Sequence, residues 1–170
     1  MTRHSTTMSD LGLQSYCSIE NFLKSSGPVL DIRSPNEFNQ GHLPGAINLP
    51  LFTDEERAQV GKTYKREGRN KAIFLGLKFT KPKVKQLRIF LKELQSSSLT
   101  SNEDFEENNL LKLYCWRGGM RSGCLSWLAN VSNISTLVLT GGYKTYRKWV
   151  LAQFCKNWPL KLIGGRTGTG

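Results

Sequence analysis

Short apolar runs alternate along this chain with segments whose apolar positions recur at helical spacing. Val29-Leu-Asp-Ile32, Ala46-Ile-Asn-Leu49, Leu110-Leu-Lys-Leu-Tyr114, Thr136-Leu-Val-Leu139 and Leu160-Lys-Leu-Ile163 each suit a short buried strand. Between them, Ser18 to Lys24 reads as a helix capped by Ser18 and ended by Gly27-Pro28. Thr53-Asp-Glu-Glu56 has the capping residue and early acids of another helix start. From Thr80, with Pro82 in the first turn, Val84, Leu87, Leu91 and Leu94 predict a helix that stops near Ser96. Ser122 to Ala129 and Tyr143 to Phe154 complete the helical set. Arg33 to Phe38 reads as a turn, Gly41 to Gly45 as a loop, and residues 96–109 as a polar, acidic loop. No repeat is visible. Strands alternating with helices predict an α/β fold, a central and mostly parallel sheet flanked by helices.

The 170 residues allow one domain and the start of another. Residues 1–15 lack periodicity and read as a loose tail, 16–155 as the folded domain, and 156–170 as the opening of a second unit. No apolar run approaches the ~20 residues that span a bilayer, and the first residues lack the apolar stretch of a secretory signal. The expectation is a cytoplasmic protein with no membrane partner.

Charge changes the picture. The formal net charge is +11, and it is concentrated. Between Gly61 and Lys92 stand eleven basic residues against the single acid Glu67, and from Thr140 to Gly170 six against none. Two basic blocks on an otherwise acidic body suit a polyanion-facing surface, although Lys81 to Lys92 alone suits a solvated helix face equally well. Tyr64, Phe74, Phe79, Tyr143, Tyr146 and Trp149 accompany the blocks and could stack on bases, but their residue types also suit a core.

Cys17, Cys115, Cys124 and Cys155 are far apart, form no C-x-x-C pair and have only His4 and His42 to help, so no zinc site is indicated. Cys17, Cys124 and Cys155 read as packed, inert thiols. Cys115 differs. It follows a strand directly, where ligands of open α/β sheets collect, and Gly118-Gly119 lets the next backbone curl its amides inward beneath a helix N-terminus. Such a cradle stabilises an anion and favours thiolate at Cys115. Arg117 and Arg121 add positive charge where they point inward.

Asp31-Ile-Arg-Ser-Pro-Asn-Glu-Phe-Asn-Gln-Gly-His-Leu-Pro-Gly-Ala-Ile-Asn-Leu-Pro50 resembles the upstream signature of rhodanese-type sulfurtransferases, and Cys115 occupies their catalytic position. The resemblance implies that Cys115 accepts sulfur or selenium, cradled by the loop Trp116, Arg117, Gly118, Gly119, Met120, Arg121 and Ser122, with Asp31, Arg33, Glu37 and His42 holding the fold and the loop edges. Five residues separate Cys115 from Arg121, where common rhodaneses have four; the longer spacing is that of related cell-cycle phosphatases. Those phosphatases usually carry His where this chain has Tyr114, which weakens a phosphate-ester reading.

Asp54 to Gly68, Tyr114 to Ser122 and Thr140-Gly-Gly-Tyr-Lys144 are similar to the bacterial tRNA 2-selenouridine synthase family. In that family a P-loop domain follows, and Gly165, Arg166, Thr167, Gly168, Thr169 and Gly170 supply the first six positions of G-x-x-x-x-G-K-[ST]. The expectation is a chain cut within that nucleotide loop, unable to hold a nucleotide or diphosphate tightly. The resemblance implies replacement of sulfur in a wobble 2-thiouridine of tRNA by selenium from selenophosphate, through a geranylated intermediate made from geranyl diphosphate, with no tightly bound cofactor. It implies tRNA and a selenophosphate-producing enzyme as partners, and no DNA. Lys62, Lys65, Arg66, Arg69, Lys81, Lys83 and Lys85 are the expected tRNA-binding residues. A stand-alone rhodanese-type sulfurtransferase and an inactive tRNA-binding remnant are the alternatives.

Overall fold

A computed structural model describes residues 14–99, 110–159, 161 and 164–165. The elements in chain order are β1 (Gln14–Cys17), α1 (Ile19–Lys24), β2 (Val29–Asp31), α2 (Pro35–Asn39), β3 (Ile47–Asn48), α3 (Asp54–Glu67), α4 (Arg69–Thr80), a 3-10 turn (Lys81–Lys83), α5 (Val84–Leu99), β4 (Leu111–Tyr114), α6 (Met120–Asn130), β5 (Thr136–Leu139) and α7 (Gly142–Phe154). The strands form one sheet in the order β1-β5-β4-β2-β3 with every pair parallel.

A parallel sheet buried on both faces needs apolar residues on both faces of its strands. β4 meets that need, being buried along its whole length, and its side chains alternate between two cores. Leu111, Leu113 and Cys115 point into a cluster with Leu87 and Leu91 of α5 and Leu125, Leu128 and Ala129 of α6. Tyr114 points the other way, into a cluster with Ile19 and Phe22 of α1 and Tyr143, Tyr146 and Trp149 of α7. The same alternation makes Lys112 a buried cation. Its Nζ donates to the carbonyls of Phe22 (3.1 Å) and Ser25 (2.6 Å), tying off the end of α1.

Side-chain caps start α1, α2 and α3. Ser18 Oγ accepts from Asn21 N at the start of α1, and Thr53 with Glu56 forms a reciprocal cap on α3. At Gly68, φ is +89°, and the chain reverses between α3 and α4 there.

The structure departs from the sequence expectations in several places. Residues 14 and 15 belong to edge strand β1 rather than to a loose tail. Arg33 to Phe38 is not a simple turn, because Ser34 and Glu37 make a capping box that starts α2. Residues 69–80, for which the sequence pattern predicts no element, form α4, and the α5 helix runs on to Leu99. Cys155 is exposed rather than packed, while Cys17 and Cys124 are half-buried. The predicted strand over Leu160 to Ile163, the acidic loop beyond residue 99 and residues 1–13 lie outside the described residues.

No helix among the described residues is long and apolar enough to cross a membrane. No group of three or more His, Cys, Asp and Glu side chains among them could hold a metal ion.

Candidate active site

Cys115 leaves the carboxyl end of β4 and enters the loop that leads to α6. The carbonyls of Cys115 and Trp116 turn toward the first turn of α7, where the amides of Tyr143 (2.8 Å) and Lys144 (3.1 Å) take them. With its carbonyls held there, the loop presents amides on its other side. The N–H groups of Arg117 and Gly119 face the Cys115 sulfur, and Ser122 Oγ lies 3.5 Å from Sγ and 2.9 Å from Gly119 O, so its single proton can turn from the carbonyl to the sulfur when Cys115 is ionised. This close docking depends on two glycines. Gly118 (φ +60°) and Gly142 (φ +59°) each leave no room for a Cβ, which would overlap Leu139 O and Cys115 O respectively.

The thiol is only 3% exposed, and burial alone pushes its pKa up. The Ser122 hydroxyl, the Arg121 charge and the amides of Gly119 and Arg117 outweigh that effect and hold Cys115 below the ordinary thiol range. Burial acts without such donors at Cys124, whose pKa rises, and at Cys17, where it outweighs the nearby Lys112 charge. Alkylation of Cys115 by a small reagent is therefore expected to reach half its maximal rate below the pH of about 8.5 typical of a free thiol, with Arg121→Met moving that midpoint up. Residue-resolved mass spectrometry across pH checks both; an unchanged midpoint in Arg121→Met would show that the arginine does not stabilise the thiolate.

Arg121 is aimed by Glu37. Its Nη1 lies 2.8 Å from Glu37 Oε2, which also accepts from Ser34 N (3.3 Å) and lies 3.5 Å from Arg57 Nε of α3. Burial raises the Glu37 pKa, but the Arg121 hydrogen bond and charge lower it further than burial lifts it. One carboxylate thus ties α2, α3 and α6 together. Behind the loop, Arg33 and Asp31 form a buried pair (2.6 Å), and Arg33 Nη2 also donates to Gly41 O at 2.6 Å. The guanidinium lies 3.9 Å from the centre of the Tyr143 ring. Tyr114 Oη accepts from Leu43 N at 3.1 Å, and burial, reinforced by Asp31, pushes the phenol pKa up. His42 stacks on Phe38 at the exposed edge (3.8 Å). Asp31, Arg33, Glu37 and His42 thus bond to loops and their neighbours, the part the resemblance implies for them, and none of them is among the groups that act on the sulfur.

Above the thiol opens a cavity of about 400 Å³ lined by Cys115, Trp116, Arg117, Gly119, Met120 and Arg121, with Arg57 and Tyr64 of α3 on its far wall. Residues 18–148 match the family model of the rhodanese-like domain. The chain belongs to the rhodanese-like family. This rhodanese-like chain is 41% identical over 154 residues to a tRNA 2-selenouridine synthase of Hahella chejuensis, covering 88% of this chain and 38% of that relative. It is 40% identical over 147 residues to the same-named protein of Nitrosomonas europaea, covering 84% and 36%. The chain therefore spans about two fifths of the length of these curated relatives. Among solved structures it is similar to the N-terminal domain of a protein described as ATP/GTP-binding from Clostridium difficile 630, at 34% identity and a TM-score of 0.71, covering 81% of this chain and 99% of that one.

Trp116, Arg117, Gly119, Met120 and Arg121 line the cavity with Cys115 and Ser122 lies beside the sulfur, whereas Gly118 packs against Leu139, Gly141 and Gly142, and the Arg117 side chain is exposed at the rim. The expected tRNA-binding cations do not form one cluster. Lys62 and Lys65 line a cavity beside the thiol's own, together with Arg117 and Arg121. Arg69 borders a separate apolar cavity of about 300 Å³, and Arg66 is exposed on α3. Lys83 is engaged elsewhere, pairing with Glu56. Lys81 and Lys85 are exposed at the start of α5. Of the aromatics, Phe79, Tyr143, Tyr146 and Trp149 pack against the cores, while Tyr64 and Phe74 are exposed. Gly165 is exposed without regular structure; Arg166, Thr167, Gly168, Thr169 and Gly170 lie outside the described residues. The sequence reading gave Arg57 no role and Tyr64 only a possible stacking one, yet both face Cys115 across the cavity. Both lie in the Asp54 to Gly68 segment that resembles the family, but only the docking of α3 beside the loop places them at the thiol.

Proposed function

We propose that this chain is the chalcogen-handling part of an enzyme that makes 2-selenouridine in tRNA. Cys115 is its nucleophile, the Trp116 to Ser122 loop its anion cradle, and Lys62 and Lys65 the cations beside the site that meet the tRNA backbone, with Arg66, Arg69, Lys81 and Lys85 as outlying contacts. The observation that carries the reading is the Cys115 sulfur facing the amides of Arg117 and Gly119 with Arg121 beside it, in a chain about 40% identical to the segments of tRNA 2-selenouridine synthases that it matches. Such an arrangement stabilises the negative charge that develops on a chalcogen passing through it.

In the full reaction selenium from selenophosphate replaces the sulfur of wobble 2-thiouridine, after geranyl diphosphate has converted that sulfur into a geranylated leaving group. Both small molecules act as substrates, with no tightly bound cofactor and with a selenophosphate-producing enzyme as supplier. The glycine-rich end of the sequence belongs, on this reading, to a diphosphate-binding loop. The cytoplasm, where tRNA is modified, is the expected compartment.

The test grafts this chain in place of the matching segment of the Hahella chejuensis relative and measures selenouridine in tRNA from cells lacking their own synthase. The graft restores it and its Cys115→Ser version does not. Selenouridine in the Cys115→Ser cells would overturn the nucleophile; turnover of thiosulfate alone, without selenouridine, would favour a stand-alone sulfurtransferase.

A further inference from the structure

We infer that a strand of RNA crosses the catalytic mouth from α3 to α7, held at its second end by Lys144, Arg147 and Lys148. This extends the proposed tRNA reading, and rests on it, to a face of the protein outside the α3–α5 block.

A cavity of about 440 Å³ lies between the catalytic loop and α7, lined by Trp116, Arg117, Lys144, Arg147, Lys148 and Leu151. Lys144, Arg147 and Lys148 are exposed. Among the described residues none of them, nor Arg117, stands in an ion pair, whereas Arg57, Lys83 and Arg121 each have a carboxylate partner. Four unneutralised, exposed cations round one hollow make a positive patch that attracts a polyanion.

Continuity gives the hollow its role. Arg117 lines this cavity, the cavity over Cys115 and the α3-side cavity with Lys62 and Lys65, and Trp116 lines the first two. A phosphate chain laid along Lys62, Lys65, Arg117 and the α7 cations therefore passes directly over the thiol.

The depth of the site chooses the form of nucleic acid. Cys115 is 3% exposed at the bottom of its cavity, so the reacting base must leave its stack to reach the sulfur. A single-stranded loop does this readily and a duplex does not. Trp116, tilted against Tyr143 with ring centres 5.8 Å apart, stands at the junction of the two cavities as a platform for a neighbouring base.

The experiment measures binding of labelled tRNA to the 170-residue chain over a series of salt concentrations, for the wild type, for Lys144→Gln/Arg147→Gln/Lys148→Gln, and for Lys156→Gln beyond the end of α7. Loading of sulfur onto Cys115 from thiosulfate is followed in parallel. Loss of three phosphate contacts is expected to weaken binding roughly ten- to a hundredfold and to lower the slope of log affinity on log salt by about 2. Sulfur loading should persist in the triple variant, because Lys144 holds Trp116 O through its backbone amide, which Lys144→Gln keeps, and Lys156→Gln should bind as the wild type does. Unchanged affinity and slope in the triple variant would overturn the α7 assignment. A loss in Lys156→Gln as large as that in the triple variant would overturn it too, by showing a diffuse charge effect. Equal competition by duplex DNA would overturn the single-strand path. A wild-type chain that loads sulfur but binds no tRNA would overturn the tRNA reading itself.

Discussion

Gly142→Ala is expected to destabilise the domain by about 3 kcal/mol or more and to remove most of the reactivity of Cys115. The backbone at this position has φ +59°, and an added Cβ would overlap the Cys115 carbonyl oxygen and come within 2.5 Å of Gly118 N. The strain cannot be relieved by a side chain moving aside, because the atoms in the way are the backbone of the catalytic loop. Relief requires α7 to withdraw, which breaks the Tyr143 and Lys144 amide bonds to Cys115 O and Trp116 O and lets the amides around the sulfur turn away. Alkylation kinetics would show a Cys115 midpoint shifted toward an ordinary thiol, and urea unfolding would show the loss of stability. Gly45→Ala serves as the control, since φ there is +71° but nothing lies within 4 Å of the added atom; it should carry only its local backbone cost. Equal losses in the two variants would show that close docking of α7 does not shape the cradle.

Asp31→Asn is expected to cost about 3–5 kcal/mol, the usual penalty for leaving one buried charge without its partner. Arg33 is 1% exposed and Asp31 is fully buried, so the guanidinium loses its counter-charge and keeps only neutral partners: the amide oxygen of the new asparagine, Gly41 O and the rings of Tyr114 and Tyr143. Removing the cation as well, in Asp31→Asn/Arg33→Met, should recover much of the loss, because a methionine fills the same space without a charge to desolvate. Urea midpoints for both single variants and the double complete the cycle. Strict additivity would contradict the reading of Asp31 and Arg33 as one buried unit behind the loop.

The site was legible in the sequence where one residue type has one physical reason to be there. Cys115, Gly118 and Gly119 after an apolar run describe a strand, a tight loop and a helix N-terminus, and the structure has all three. The strand pattern was equally plain, because a parallel sheet covered on both faces writes itself as continuous apolar runs. What stayed hidden lacked a large apolar signature. α4 buries Ala72, Gly76 and Thr80, three small residues at helical spacing that a search for large apolar side chains passes over, while Phe74 and Leu77 are exposed. β1 is an edge strand whose Ser15 and Tyr16 remain exposed. The basic block between Gly61 and Lys92 reads as one feature in the sequence, but the fold divides it among α3, α4 and α5, so only part of it borders the thiol. The α7 cations reach the site through chain reversal alone, which no local pattern encodes.

The account turns on whether Cys115 itself takes up a chalcogen. Incubating the chain with thiosulfate lets a thiolate attack the sulfane sulfur, forming a new S–S bond as the old one breaks and sulfite leaves. Peptide mapping by mass spectrometry then locates any added sulfur atom. Cys155 supplies the internal control, since it is exposed on the surface but lacks the facing amides. The account predicts one added sulfur on Cys115 and none on Cys17, Cys124 or Cys155; sulfur on Cys155 in preference to Cys115, or an unmodified Cys115, would contradict it.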